Sequence, residues 1–127
     1  MAINNNKALY LVIADKIMDD ILSGKLRFED RLPSIRDYAA QVQVNHNTIV
    51  RTYDYLANRE VIFNRRGLGF FVAREAAAIV DRLRRNEVLG EELEGIFHRL
   101  RLLDISPEEL RSHYADYLKK IKDEEKI

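Results

Sequence analysis

The chain contains no cysteine, which excludes disulfide bridges and thiolate-held metal. No apolar run approaches the roughly 20 residues that span a bilayer. The segment Met1-Ala2-Ile3-Asn4-Asn5-Asn6 has neither the charged front nor the apolar middle of a signal peptide. These absences lead to the expectation of a cytoplasmic protein with no membrane partner. The signatures of common catalytic sites are missing too. There is no Gly-x-Ser-x-Gly and no phosphate-binding loop, so no enzyme is expected. Only three histidines occur, His46, His98 and His113. Glu94 and His98 lie one turn apart, a pairing that normally belongs to a solvated helix face. No metal and no cofactor are expected. The formal net charge is zero, without the overall basic balance that marks many nucleic-acid binders.

The 127 residues are 46% hydrophobic and 33% charged, the composition of a globular chain with one compact domain or a small domain and an appendage. The zero sum hides an asymmetry. Residues 1–73 hold ten Lys/Arg against eight Asp/Glu, whereas residues 74–127 hold eleven against thirteen. Every basic residue between Lys25 and Lys119 is arginine, and seven of these precede residue 73: Arg27, Arg31, Arg36, Arg51, Arg59, Arg65 and Arg66. Arginine carries a planar fork of donors suited to phosphate and to guanine edges.

Apolar spacing predicts a first helix over 7–23, carried by Leu9, Val12, Ile13, Ile17 and Ile21 and stopped at Gly24. Residues 25–33 read as a loop. Ser34 caps a short second helix whose buried side is Ile35, Tyr38, Ala39 and Val42, and Asp37 complements its N-terminus. Gln43-Val44 leaves room only for a tight turn. Asn45 then caps a third helix over 46–58, with Ile49, Tyr53 and Leu56 inward. Two helices so closely joined suggest a helix-turn-helix. The period changes at Val61-Ile62-Phe63 and Phe70-Phe71-Val72, two β-prone runs around Asn64-Arg65-Arg66-Gly67-Leu68-Gly69, which reads as a hairpin. Helical spacing returns over 75–104. Ser106-Pro107-Glu108-Glu109 restarts a last helix with Leu110, Tyr114, Tyr117, Leu118 and Ile121 on one side, fraying from Lys122.

The third helix carries the chemistry. A helix fits the major groove of duplex DNA, and its first turns reach the base edges. Asparagine can bond adenine through two hydrogen bonds, and free N–H groups at a helix start favour phosphate. Asn45, His46, Asn47 and Arg51 can supply such contacts. Capping accounts equally well for Asn45 and in part for Thr48. Arg65-Arg66 at a hairpin tip suits phosphate, and Gly67 lets the backbone come close to a partner.

Residues 9–73 resemble the winged-helix domain of GntR-family bacterial transcription regulators. The residues that carry the likeness are Leu9-Tyr10, Ile21-Leu22-Ser23-Gly24-Lys25-Leu26, Arg31-Leu32-Pro33-Ser34-Ile35-Arg36, Val44-Asn45-His46-Asn47-Thr48-Ile49 and Arg66-Gly67-Leu68-Gly69-Phe70-Phe71-Val72. Phe28-Glu29 stands where the family usually has Pro-Gly. The Val-Asn-His-Asn-Thr form and the short helical tail are similar to the YtrA subfamily, whose members often repress transporter operons. The resemblance implies DNA contacts from Arg36, His46, Asn47, Thr48, Arg66 and Gly67, and with Ser34, Asn45, Val50, Arg51 and Arg65 these make up the expected DNA-binding set. Many relatives place a DNA-contacting arginine at the position of Val50, whereas here arginine follows at Arg51.

The expected fold is thus mainly α with a small β hairpin: a winged helix-turn-helix domain over 1–73 and a two-helix C-terminal dimerisation region over 74–127. Two helices cannot bury both apolar stripes on their own. A second copy is expected against Leu89, Leu93, Ile96, Phe97, Leu100, Tyr114 and Leu118. The expected function is a homodimeric, sequence-specific DNA-binding regulator, a repressor at a near-palindromic site in double-stranded DNA, controlling a transporter operon and open to a small-molecule effector. A winged-helix protein-interaction module and a small-ligand sensor are the alternatives.

Overall fold

A computed structural model describes residues 7–126. The chain divides into two compact units, one ending at Arg84 and one starting at Arg85.

The first unit opens with α1 (Leu9–Leu22), which buries Ile13, Ala14, Ile17, Met18 and Ile21. That spacing is one face of a helix. Helix α2 (Ile35–Val42) starts where the Asp37 N–H donates to the Ser34 hydroxyl at 3.1 Å. It buries only Ala39; Ile35 and Tyr38 are half-buried, and Val42 is exposed, contrary to its expected place on the buried side. The turn after α2 is made by Gln43 in the left-handed conformation at φ 57°, with the Val44 N–H donating to the Ala39 carbonyl. Helix α3 (His46–Asn58) follows, capped by Asn45, and buries Ile49, Thr52, Tyr53 and Leu56. It ends in a Schellman-type closure: Glu60 stands at φ 65° and the Val61 N–H donates to the Leu56 carbonyl.

Strands β1 (Ile62–Arg65) and β2 (Gly69–Val72) form the antiparallel hairpin, pairing Ile62 with Val72, Phe63 with Phe71, Asn64 with Phe70 and Arg65 with Gly69. Residues 29–32, expected as plain loop, join the far edge of β2. The Glu29 N–H donates to the Val72 carbonyl, the Val72 N–H to the Asp30 carbonyl and the Leu32 N–H to the Phe70 carbonyl. Arg31 sits opposite Phe71 as a single bridge. The segment thereby covers an edge that would otherwise stand unpaired.

Helix α4 (Ala76–Glu87) buries Ala76 and Val80 in the same core as α1, α3 and the hairpin. Its Arg84 donates to the Asp15 carbonyl at 3.0 Å and to the Asp19 carboxylate at 2.9 Å. The first unit therefore runs past residue 73, where the sequence suggested its end, because the first turns of α4 belong to its core.

In the second unit, the helical spacing expected over 75–104 is broken. Residues Val88–Glu92 form a kinked segment in which Gly90 leaves helical geometry at φ −90° and ψ −120°. Helix α5 (Leu93–Leu102) follows and ends at Asp104, φ 56°, with the Ile105 N–H donating to the Leu100 carbonyl. Helix α6 (Pro107–Glu125) begins at the Ser106 cap, where the Glu109 N–H donates to the Ser106 hydroxyl at 3.1 Å. It continues past Lys122, where fraying was expected.

Candidate nucleic-acid interface

The front of α3 is built by its cap. The Asn45 side chain accepts from the Asn47 N–H at 2.8 Å, so its oxygen is engaged inside the protein. His46 and Asn47 are exposed beside it; Thr48 is half-buried. A helical residue turns about 100° from the one before it. With Ile49, Thr52, Tyr53 and Leu56 inward, Asn47, Arg51, Asp54 and Asn58 fall on the opposite, exposed face. Val50 is half-buried on the flank. Of Val50 and Arg51, it is Arg51 that shares the outward face with Asn47.

The Arg51 guanidinium lies over the Tyr10 ring of α1, 4.1 Å from its centre. Tyr10 meets Tyr55 of α3 edge-on at 6.2 Å, and Arg59 stacks on Tyr55 at 3.6 Å. The Tyr10 carbonyl and the Thr48 carbonyl both lie within hydrogen-bonding distance of the buried Thr52 hydroxyl, at 3.0 and 2.8 Å.

Tyr53 joins the remaining parts. Its hydroxyl donates to the Pro33 carbonyl at 2.7 Å, just ahead of the α2 cap Ser34. Its ring stacks with Tyr38 of α2 at 6.2 Å and meets Phe70 of β2 edge-on at 5.1 Å. One side chain thus sets α3 against both the start of α2 and the hairpin. Burial pushes the Tyr53 hydroxyl well above the ordinary 10.0, and neighbouring Tyr38 adds to the effect. Arg36 is exposed in the first turn of α2.

On the hairpin, Arg66 and Gly67 are exposed at the tip, with Gly67 at φ 78°. Arg65 is exposed but placed, its guanidinium 5.0 Å from the Phe71 ring centre and 5.4 Å from that of Phe63. Gly69 has φ 101°, and a Cβ there would come within 3.4 Å of the Arg31 Nε. Sequence reasoning passed over Tyr10 and Arg31 as site residues and took Tyr53 only as core. The adjacency of Tyr10 to Arg51, and of Arg31 to the wing, arises from packing between distant segments.

In the second unit, Leu89, Ile96, Phe97, Tyr114 and Leu118 are exposed, and Leu93 and Leu100 are half-buried. Neither α5 nor α6 contains a buried residue. An open groove of about 1200 Å³ runs between them, lined by Leu89, Leu93, Phe97, Leu110 and Tyr114 among others. Among the described residues, no three His, Asp or Glu lie close enough to hold a metal ion, and no helix is long and apolar enough to cross a membrane.

Residues 9–72 match the family model of bacterial regulatory proteins of the gntR family. The chain belongs to the GntR family. Over 106 residues, 84% of this chain and 86% of the relative, it is 40% identical to the uncharacterised HTH-type transcriptional regulator YhcF of Bacillus subtilis (strain 168). A crystal structure assigned as a GntR-family transcriptional regulator from Bacteroides thetaiotaomicron matches with a TM-score of 0.80 and 44% identity, covering 89% of this chain and 98% of that one. YtrA from Sulfolobus acidocaldarius, a GntR-family transcription factor, matches with a TM-score of 0.54 and 30% identity over 68% of this chain and 90% of that one. The expected fold class holds: a mainly helical chain with one two-stranded hairpin, a winged helix-turn-helix followed by C-terminal helices. Members of this family are DNA-binding transcriptional regulators rather than enzymes, and this chain is a GntR-type helix-turn-helix regulator.

Proposed function

We propose that this GntR-family regulator is a homodimeric repressor of YtrA-like type that reads a near-palindromic operator. The observation that carries the DNA-reading part is the exposed face of α3, where Asn47 and Arg51 stand together beside His46. In this reading Asn47 and His46 address base edges, with Thr48 and the Asn45 cap shaping the turn. Ser34 and Arg36 at the start of α2 hold phosphate, where free N–H groups and the helix dipole favour an anion. The wing residues Arg65, Arg66 and Gly67 hold the backbone of the neighbouring groove. Val50 serves as packing on the flank.

The dimer rests on the second unit. A chain whose last two helices contain no fully buried residue leaves Leu89, Leu93, Ile96, Phe97, Leu100, Tyr114 and Leu118 for a partner. The occupant proposed is a second copy, since twofold assemblies are the commonest closed form and a palindromic site asks for twofold protein symmetry. The likeness to YtrA, a GntR-family transcription factor, supports the subfamily reading; regulation of a transporter operon and response to a small-molecule effector are proposed alongside it. All of these activities belong to the cytoplasm.

The test is an anisotropy titration of the DNA upstream of the chain's own gene across salt concentrations. A steep fall of affinity with salt is expected. Arg36→Ala weakens binding to all sequences alike, while Asn47→Ala blurs preference at one base pair per half-site. Unchanged affinity in both variants at every salt concentration overturns the mechanism. Absence of any binding at low salt favours a protein partner instead.

A further inference from the structure

We infer that Tyr10 is a positioning residue that holds Arg51 for contact with a DNA phosphate rather than a base; the inference rests on the proposed DNA reading. Two observations lead there. The guanidinium lies 4.1 Å over the Tyr10 ring, so its flat face is occupied. Among the described residues its N–H donors make no hydrogen bond to the protein, which leaves the edge of the fork open. A face-bound, edge-open guanidinium is arranged for two parallel bonds to phosphate oxygens.

Direction selects phosphate over base. Asn47 and Arg51 share the outward face of α3, but the stack draws the Arg51 fork sideways onto α1. The major groove is about 12 Å wide, with base edges on its floor and phosphates on its walls. A group displaced sideways from a groove-bound helix meets a wall. Tyr10 is itself fixed, by the edge contact with Tyr55 at 6.2 Å and by the Thr52 hydroxyl 3.0 Å from its carbonyl. The first helix thereby orders a side chain of the third before DNA arrives, so that less side-chain freedom is lost on binding.

The test uses the whole chain, with the upstream DNA and a 30-base-pair duplex of arbitrary sequence as probes. Tyr10→Leu is expected to lower affinity for both duplexes by a similar factor, about 2- to 6-fold, on the usual strength of an exposed cation–π contact. Tyr10→Phe keeps the ring and should stay within about twofold of the parent. Arg51→Ala should lower the salt slope by about one, and Tyr10→Leu should add nothing further in that background. An unchanged Tyr10→Leu, a loss confined to the upstream DNA, or an undiminished loss in the Arg51→Ala background each overturns the inference. So does a Tyr10→Phe as weak as Tyr10→Leu. Relaxation of the arginine Nε–H groups in the free parent protein gives an answer that does not depend on how Tyr10→Leu folds: Arg51 should be more ordered than Arg36, and equal mobility overturns the role. If the parent binds neither duplex, the DNA reading fails and this inference with it. If the parent binds both and only the Tyr10 results fail, the DNA reading stands.

Discussion

At the scale of single residues, Tyr53 has the most consequences. Its hydroxyl is bonded to Pro33 and its ring touches both α2 and β2. We predict that Tyr53→Phe costs about 1 kcal/mol, the usual worth of a buried hydrogen bond, measured by urea denaturation. The same group sets a pH dependence. Burial raises the folded-state value of Tyr53 above 10.0, and burial does the same for Tyr38. The folded chain therefore favours the neutral phenols. That contribution is complete below about pH 10 and is lost as the pH climbs beyond it, because the unfolded chain ionises first. Stability should fall in alkali, and Tyr53→Phe should flatten the fall; an equal slope in both proteins would show that Tyr53 is not its source. Glu29 makes the opposite kind of case. It stands at φ 74°, in the left-handed region that favours glycine. A left-handed residue with a Cβ carries about 1 kcal/mol of strain. Glu29→Gly should relieve part of it and raise the melting temperature.

At the scale of elements, much could be read directly. Helix α3 spans the residues its apolar period implied, and the hairpin lies where the two β-prone runs suggested. Ser34, Asn45 and Ser106 cap the helices they precede. These features are local, so local sequence reports them. The missed features are of another kind. The pairing of 29–32 with β2 consists of backbone hydrogen bonds between distant segments, which leave no periodic mark. The break at Gly90 is one glycine in a continuing helical pattern, and such glycines often sit in unbroken helices. The placing of Arg51 depends on Tyr10, forty-one positions earlier, and spacing within α3 cannot report it. The ion pair from α4 to α1 was equally hidden. Arg84→Ala removes the bonds to the Asp15 carbonyl and the Asp19 carboxylate. We predict a loss of about 1 kcal/mol, modest because the pair is partly solvated, with hydrogen exchange accelerated first in α4 if that helix is what the arginine secures.

At the scale of the whole molecule, the first unit has its own core and the second has apolar helices without one. The proposed dimer follows from that contrast. Phe97→Asp puts a charge into the groove between α5 and α6. The variant should sediment as a monomer while the first unit keeps its fold and its melting transition; a Phe97→Asp protein that remains dimeric would place the interface elsewhere. Affinity for a two-half-site duplex should drop far more than affinity for a single half-site, since linked half-sites gain from effective concentration.

The bare surface of α5 and α6 makes the amount of protein itself a variable. A unit that completes its core only by association has a melting point that rises with concentration. If the chain acts as the proposed dimer, monomers at low abundance offer one reading head each and occupy the operator weakly. Occupancy then climbs more steeply than in proportion to abundance. Two helices with no fully buried residue of their own would thus turn gene dosage into a threshold.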